Sequence, residues 1–284
     1  MRGPIVEYAR SAGTLRLLFL GDSIGFGYGV RDDEVTAARV AASLDHHGIR
    51  NEVINTAVPS YNMRQEVTLL ERDGIRYKPD WVVVCVCWND LADKSRVRVD
   101  DHGQLTDDPT ATEPLSVRLS ESPFGYAARN VLKESRALYG GLEGWRALMS
   151  LRTPDPQTVF RTNVLEGHDT PLIAAGWNDI ATLLQRLKDL GDREQFRPVL
   201  VAFPIPIAVA QPFAKSSYPA RLQELAAREG IPVLDLTPAF RASYHGHESL
   251  FIPYDGDHPN AAGHEIAAQE ITRFLTADPQ RIHG

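Results

Sequence analysis

The sequence predicts a doubly wound α/β domain built on five parallel strands. Strand and helix patterns alternate five times along the 284 residues without an internal repeat, the pattern of a parallel sheet with helical crossovers. The third strand, residues 81–87, is apolar almost throughout, as a strand covered by helices on both faces must be. The strands give way to small or polar residues at their C-terminal ends, the edge where ligands bind in open sheets of this kind.

Residues 1–13 carry little apolar content and read as a surface arm. The first strand, Leu17-Leu18-Phe19-Leu20, stops at Gly21-Asp22-Ser23, a tight turn that presents Ser23 instead of packing it. Glycines at every second position from Gly25 to Gly29 follow, without the Gly-x-Gly-x-x-Gly spacing of a dinucleotide loop. Val35, Ala38, Val40, Ala41, Ala42 and Leu44 then recur at helical intervals up to Gly48, a C-cap. The second strand, residues 52–55, runs into a loop over 56–62 marked by Pro59, and a helix spans about 63–75. Lys78-Pro79-Asp80 opens the third strand, which ends at Trp88-Asn89-Asp90.

From 91 to 175 the pattern blurs, with a charged, proline-punctuated stretch, a helical stretch broken by glycines, and a loop. We expect a single domain over 1–284 with 91–175 as an insertion. It is either a cap whose Tyr126, Arg129, Trp145 and Arg146 reach substrate or a solvated decoration. Residues 176–190 form an amphipathic helix with Ile180, Leu183, Leu184, Leu187 and Leu190 on one side. The fourth strand covers 198–203, a helix 218–229, the fifth strand 232–236, and the last helix 260–275.

A net charge of -7 offers no basic face to a phosphate backbone, which argues against nucleic acid and membrane surfaces as partners. No apolar segment approaches the roughly 20 residues of a spanning helix, and the N-terminus lacks the pattern of a signal peptide, so a cytoplasmic location is expected. Cys85 and Cys87, two apart on one strand, share a face and read as core thiols, not as a disulfide. His46, His47, His245 and His247 read as solvated, and nothing has metal-ligand spacing; no metal and no cofactor are expected.

The chemistry is in residues that follow strand ends and therefore converge on one edge. A serine hydroxyl is a poor nucleophile at neutral pH and needs a base, for which His258 is the candidate. Asp255, three residues earlier, holds the imidazole's tautomer, with Asp257 as the alternative. Attack on a carbonyl creates an oxyanion, and the Ser23 N–H, a backbone N–H near Ser60 and the Asn89 amide are its candidate donors. Gly21-Asp22-Ser23-Ile24-Gly25 also fits the nucleophile elbow of α/β-hydrolases, but only one strand precedes this serine, so that match is set aside.

Taken together, Gly21-Asp22-Ser23, the stretch 55–62, Trp88-Asn89-Asp90 and Asp255-x-x-His258-Pro259-Asn260 resemble the four blocks of the SGNH (GDSL-type) hydrolases, in the right order. The resemblance implies a flavodoxin-like three-layer α/β/α sandwich and hydrolysis of esters or thioesters without metal or cofactor. It assigns Ser23 as nucleophile, His258 as base, Asp255 as its partner and Asn89 as oxyanion donor. The family's second-block glycine falls at Ser60, and a further one at Ala57. A serine lacks glycine's ease at positive φ, so the loop is expected to present its donor differently. Trp88 stands where a glycine often precedes the asparagine, and its bulk predicts a short acyl group, acetyl first. Asp22 and Trp88 complete the residues expected at the substrate. The expected function is a serine esterase acting on a small-molecule acyl ester through a Ser23 acyl-enzyme. An acyltransferase with the same intermediate and an inactive binding module of the same fold are the alternatives.

Overall fold

Among the described residues seven strands form: β1 (Leu15–Leu20), β2 (Asn51–Asn55), β3 (Trp81–Val86), β4 (Val97–Val99), β5 (Leu105–Asp107), β6 (Arg197–Ala202) and β7 (Val233–Asp235). The computed structural model describes residues 2–91, 97–99, 105–107, 156–210, 218–253, 255–278 and 280–283. β2-β1-β3-β6-β7 is the order of a five-stranded sheet in which every pair is parallel, and β4 and β5 form a separate pair. The five strands expected from the apolar runs are the five of the main sheet.

β1 and β3 lie inside the sheet and are buried along their whole length, which is why they read as unbroken apolar runs. The exception is Arg16, fully buried in β1. Its guanidinium pairs with Glu52 and donates to the carbonyls of Glu7, Tyr8, Ala9 and Tyr77, so a buried charge is satisfied and residues 7–9 are tied down.

The chain steps outward from β1 to β2, then back across β1 to β3 and on to β6 and β7. Right-handed crossovers put helix Thr36–His46 on one face and helices Met63–Arg72, Pro171–Glu194 and Tyr218–Arg228 on the other. The observed packing agrees: Ala261–Thr276 lies against Thr36–His46, and Pro171–Glu194 against Met63–Arg72 and Tyr218–Arg228. The three layers are helix, sheet and helix. The reversal leaves a crevice between the C-terminal ends of β1 and β3, the place where such sheets bind ligands.

The helix expected over 176–190 spans Pro171–Glu194. Thr170 caps it by accepting from the Ile173 N–H, Pro171 takes the first turn, and Gln195 at φ 63 ends it. The helix expected over 63–75 stops at Arg72 and tightens into a 3-10 turn, Gly74–Tyr77. There Gly74 approaches Leu70 and Leu18 too closely for a Cβ.

The chain divides into two compact units, one of Met1–Thr106 with Asn163–Gly284 and one of Asp107–Thr162. Of the second, Asp107 and residues 156–162, the start of the helix Pro156–Glu166, are described. Most of the expected 91–175 insertion, including Tyr126, Arg129, Trp145 and Arg146, lies outside the described residues. Among the described residues no helix is long and apolar enough to cross a membrane, and no cluster of His, Cys, Asp and Glu is arranged to hold a metal ion.

Candidate active site

β1 ends in a one-turn helix, Ser23–Phe26, that was not legible as a helix in the sequence. Asp22 caps it: its Oδ1 accepts the Ile24 N–H at 2.8 Å, and Gly27 at φ 78 closes the turn. Val58 N–H donates to the Gly21 carbonyl at 2.9 Å, so the loop after β2 is stitched to the serine turn. Gly25 fits a close approach, since a Cβ there would lie a tight 3.1 Å from the Ala57 Cβ and 3.4 Å from the Cys85 Cβ.

The His258 loop is a closed structure at the far end of the chain. Ile252 N–H donates to the His258 carbonyl at 3.0 Å, and Phe251 bridges Pro259. Asn260 caps Ala261–Thr276 by accepting from the Ala262 and Gly263 N–H groups. That helix docks on Thr36–His46, where its buried His264 meets Thr36 Oγ1 at 2.8 Å, and so the loop is carried to the serine. His258 Nε2 lies 2.8 Å from Ser23 Oγ, and His258 Nδ1 lies 2.8 Å from Asp255 Oδ1. Asp255, not Asp257, stands at the imidazole. Its Oδ1 also accepts the backbone N–H groups of Asp257 and His258, each at 2.9 Å.

Burial opposes charge on His258, but the hydrogen bond and charge of Asp255, helped by Asp22 and Asp257, outweigh it and hold the imidazole's pKa above its ordinary value. Burial likewise opposes charge on Asp255. The His258 hydrogen bond and the backbone donors overcome it, and its pKa falls to about 2. The arrangement is a hydroxyl in contact with a base whose other nitrogen is held by an ionised carboxylate.

Asn89 opens the crevice's other wall. Its Nδ2 donates to Asp22 Oδ2 at 2.7 Å, so Asp22 joins the serine turn to the turn after β3. Asp22 is buried with both carboxylate oxygens engaged by the chain; the structure gives it a positioning place below the serine, not a place on the open surface. Ser60 takes φ 71, a left-handed conformation that a glycine adopts with ease, and is exposed in the loop. A residue with a Cβ pays roughly 1 kcal/mol or more for that conformation, so the loop holds Ser60 there under strain. Trp88 is buried and lines a cavity of about 100 Å³ with Phe203, Ile205, Tyr218 and Pro238.

Beside the Asn89 turn sit acids that the sequence reading did not single out. Glu66, on Met63–Arg72, is buried, and among the described residues neither its carboxyl oxygens nor Asp90 Oδ1 meet the hydrogen-bond criteria with a partner, while Asp90 Oδ2 accepts the Cys87 N–H at 2.7 Å. Burial first, then the charges of Asp90 and Asp22, push the Glu66 pKa well above its ordinary 4.5. A raised folded-state value means the unfolded chain releases this proton first, so its stabilising contribution is full below 4.5 and drains away as pH rises toward the folded value. Glu66→Gln keeps the shape and removes the proton. We expect its Tm to match wild type near pH 4 and to exceed it by a widening margin toward pH 8, by thermal melts across that range. A margin independent of pH would contradict the assignment.

Tyr28 was also missed. Its ring centroid lies 5.0 Å from that of His258, and the alternating glycines around it were the available signal.

Residues 19–266 match the model of the GDSL-like lipase/acylhydrolase family. Among solved structures the chain is similar to a two-domain esterase (CEX) active on acetylated mannans, at 15% identity and a TM-score of 0.53 over 94% of this chain and 50% of that one. It therefore spans half the length of that protein. It is similar to a variant of Axe2, an acetylxylan esterase from Geobacillus stearothermophilus, at 17% identity and a TM-score of 0.51 over 92% of this chain and 94% of that one. It is also similar to TesA, at 14% identity and a TM-score of 0.52 over 92% and 98% of the two chains. No curated protein sequence matches it. At these identities the structures speak to fold, whereas the family match runs through the serine turn, the Asn89 turn and the His258 loop. The chain belongs to the GDSL-like lipase/acylhydrolase family.

Proposed function

We propose that the protein is an esterase that removes a short acyl group, acetyl first, from an alcohol through an acyl-enzyme on Ser23. The observation that carries this reading is the 2.8 Å contact between Ser23 Oγ and His258 Nε2. In this reading His258 takes the serine proton as Oγ attacks the carbonyl carbon, then gives it to the leaving alcohol oxygen as the C–O bond breaks. Water, deprotonated by the same nitrogen, releases the acid and restores Ser23. Asp255 keeps Nδ1–H pointed at itself, so that Nε2 is free to accept.

The Ser23 N–H, the Asn89 amide and the Ser60 N–H receive the oxyanion; one such donor is worth roughly 3–4 kcal/mol where measured. Asn89 is suited to this because its bond to Asp22 fixes the amide while leaving a second N–H uncommitted among the described residues. The acetyl choice is supported by two of the similar structures, which bear names of esterases of acetylated polysaccharides. The location in this reading is the cytoplasm, where both thiols stay reduced.

The test is a panel of p-nitrophenyl esters from acetyl to octanoyl, with and without an added alcohol acceptor. We expect kcat/KM to be highest for acetyl and to fall about tenfold or more by octanoyl, with acetate as the product. Faster turnover of octanoyl esters removes the acetyl assignment, and an acylated acceptor in place of acetate makes the protein a transferase.

A further inference from the structure

We propose that Arg2, in the N-terminal arm, is a positioning residue for the nucleophile: its guanidinium closes the C-terminal end of the one-turn helix that presents Ser23. This rests on the reading of Ser23 and His258 given above. A helix of one turn makes too few internal hydrogen bonds to stand alone, so its place in the fold is set by whatever takes up its carbonyls. Those of Ser23 and Ile24 accept the N–H groups of Tyr28 at 2.9 Å and Gly27 at 3.0 Å. The Gly25 carbonyl accepts from Asn55 Nδ2 at 2.9 Å. That leaves the carbonyl of Phe26, and Arg2 Nη1 donates to it at 2.9 Å.

The same side chain gathers the whole segment 26–32. Nη1 also donates to the Gly27 carbonyl, Nη2 to that of Val30 at 2.5 Å, and Nε to Asp32 Oδ1 at 2.7 Å. A surface arginine ordinarily keeps its head in water, where a pair with a carboxylate as open as that of Asp32 is worth little. Here the side chain is only 13% exposed and lies over the Phe26 ring, 5.0 Å from its centroid. Its head is turned onto carbonyls that only a forked donor reaches together. Gly27 makes the room, since a Cβ there would come 3.2 Å from Nη1. The Arg2 N–H donates to the Asn55 carbonyl at 3.1 Å, so the two distant residues that hold the helix also hold each other.

Ser23 Oγ serves the reaction only while it stays in place against His258 Nε2, and a displacement of about an ångström costs on the order of 10²-fold in rate. Without Arg2 the carbonyls of Phe26, Gly27 and Val30 lose their donor, and the Tyr28 bond to the Ser23 carbonyl loosens with them. The Asp22 cap at the helix's other end does not depend on Arg2. The turn therefore persists while the hydroxyl's position relaxes, and kcat, not KM, records the change. The arm acts as a strap: it is tied at Arg2, exposed over residues 3–5, and tied again where the carbonyls of residues 7–9 meet Arg16.

The experiment measures kcat and KM on p-nitrophenyl acetate, and the rate at which a fluorophosphonate labels Ser23. It uses wild type, Arg2→Ala and Arg2→Lys, each with and without methylguanidinium far below denaturing concentration. Arg2→Ala should lower kcat and the labelling rate about 10–100-fold and leave KM within about threefold of wild type. Methylguanidinium should restore much of that loss in a saturable way and leave wild type unchanged, because it returns the missing fork to one place. Arg2→Lys keeps the charge without the fork and should recover only part. An Arg2→Ala enzyme within about twofold of wild type overturns the proposal. A loss that methylguanidinium does not reverse makes Arg2 a prop of the fold alone and overturns it too. If wild type neither turns over nor is labelled, the esterase reading itself has failed and this one with it.

Discussion

Ser23→Ala should lower kcat on p-nitrophenyl acetate by about 10⁵-fold, and His258→Ala should fall as far. The size follows from the contact between them, because neither atom has another partner that does its work. Without Oγ there is no acyl-enzyme; without Nε2 the hydroxyl keeps its proton, and at neutral pH almost none of it ionises unaided. Groups that act as a unit are not additive, so the double variant should be no slower than either single one. The residue that remains active should reflect the oxyanion donors and binding alone. A fluorophosphonate should label wild type and leave Ser23→Ala untouched. A Ser23→Ala enzyme within tenfold of wild type would refute the mechanism, whatever the fold.

The second large effect is at Asp255. Asp255→Asn keeps the volume but offers an amide to Nδ1, favouring the tautomer with its proton on Nε2, so Nε2 can no longer accept from Ser23. We expect kcat to fall about 10³–10⁴-fold. The pH profile gives the independent sign. Asp255 is the main support for the raised His258 pKa, and His258 must be neutral to act as base, so the acid limb of kcat/KM should move to lower pH in the variant. Stability should respond as well. A carboxylate whose folded value is depressed to about 2 stabilises the fold above its ordinary 3.8, and this is lost as pH falls through about 2. The Tm deficit of Asp255→Asn should therefore be present at pH 7 and shrink in strong acid. Activity losses of less than tenfold with an unmoved acid limb would assign the orienting role elsewhere.

The sheet was legible because burial on both faces leaves a plain trace: β1 and β3 are apolar at consecutive positions. Ser23, Asn89 and His258 were legible for a related reason, since each is a polar residue just past an apolar run or before a capped helix. What escaped the sequence depends on partners remote in the chain. The bond from Asn89 to Asp22 joins residues 67 positions apart, and nothing local distinguishes an aspartate that braces a turn from one that meets substrate. Ser60's left-handed backbone is imposed by the loop around it, against its own preference. Arg2 gave no signal at all in an arm of polar residues, because its partners are carbonyls more than twenty positions away. The early start of Pro171–Glu194 was missed for a smaller reason: its cap and first-turn proline lie beyond the apolar periodicity that marked the rest.

The 235 positions between Ser23 and His258 have a consequence for how the enzyme comes into being. The serine turn is made 235 positions before the base, which takes its place only when Ala261–Thr276 docks on Thr36–His46. A nascent or truncated chain thus holds a nucleophile with no means of activating it. Turnover becomes a report on the docking of Ala261–Thr276, and in rising urea activity should vanish while the signal of the central strands still persists.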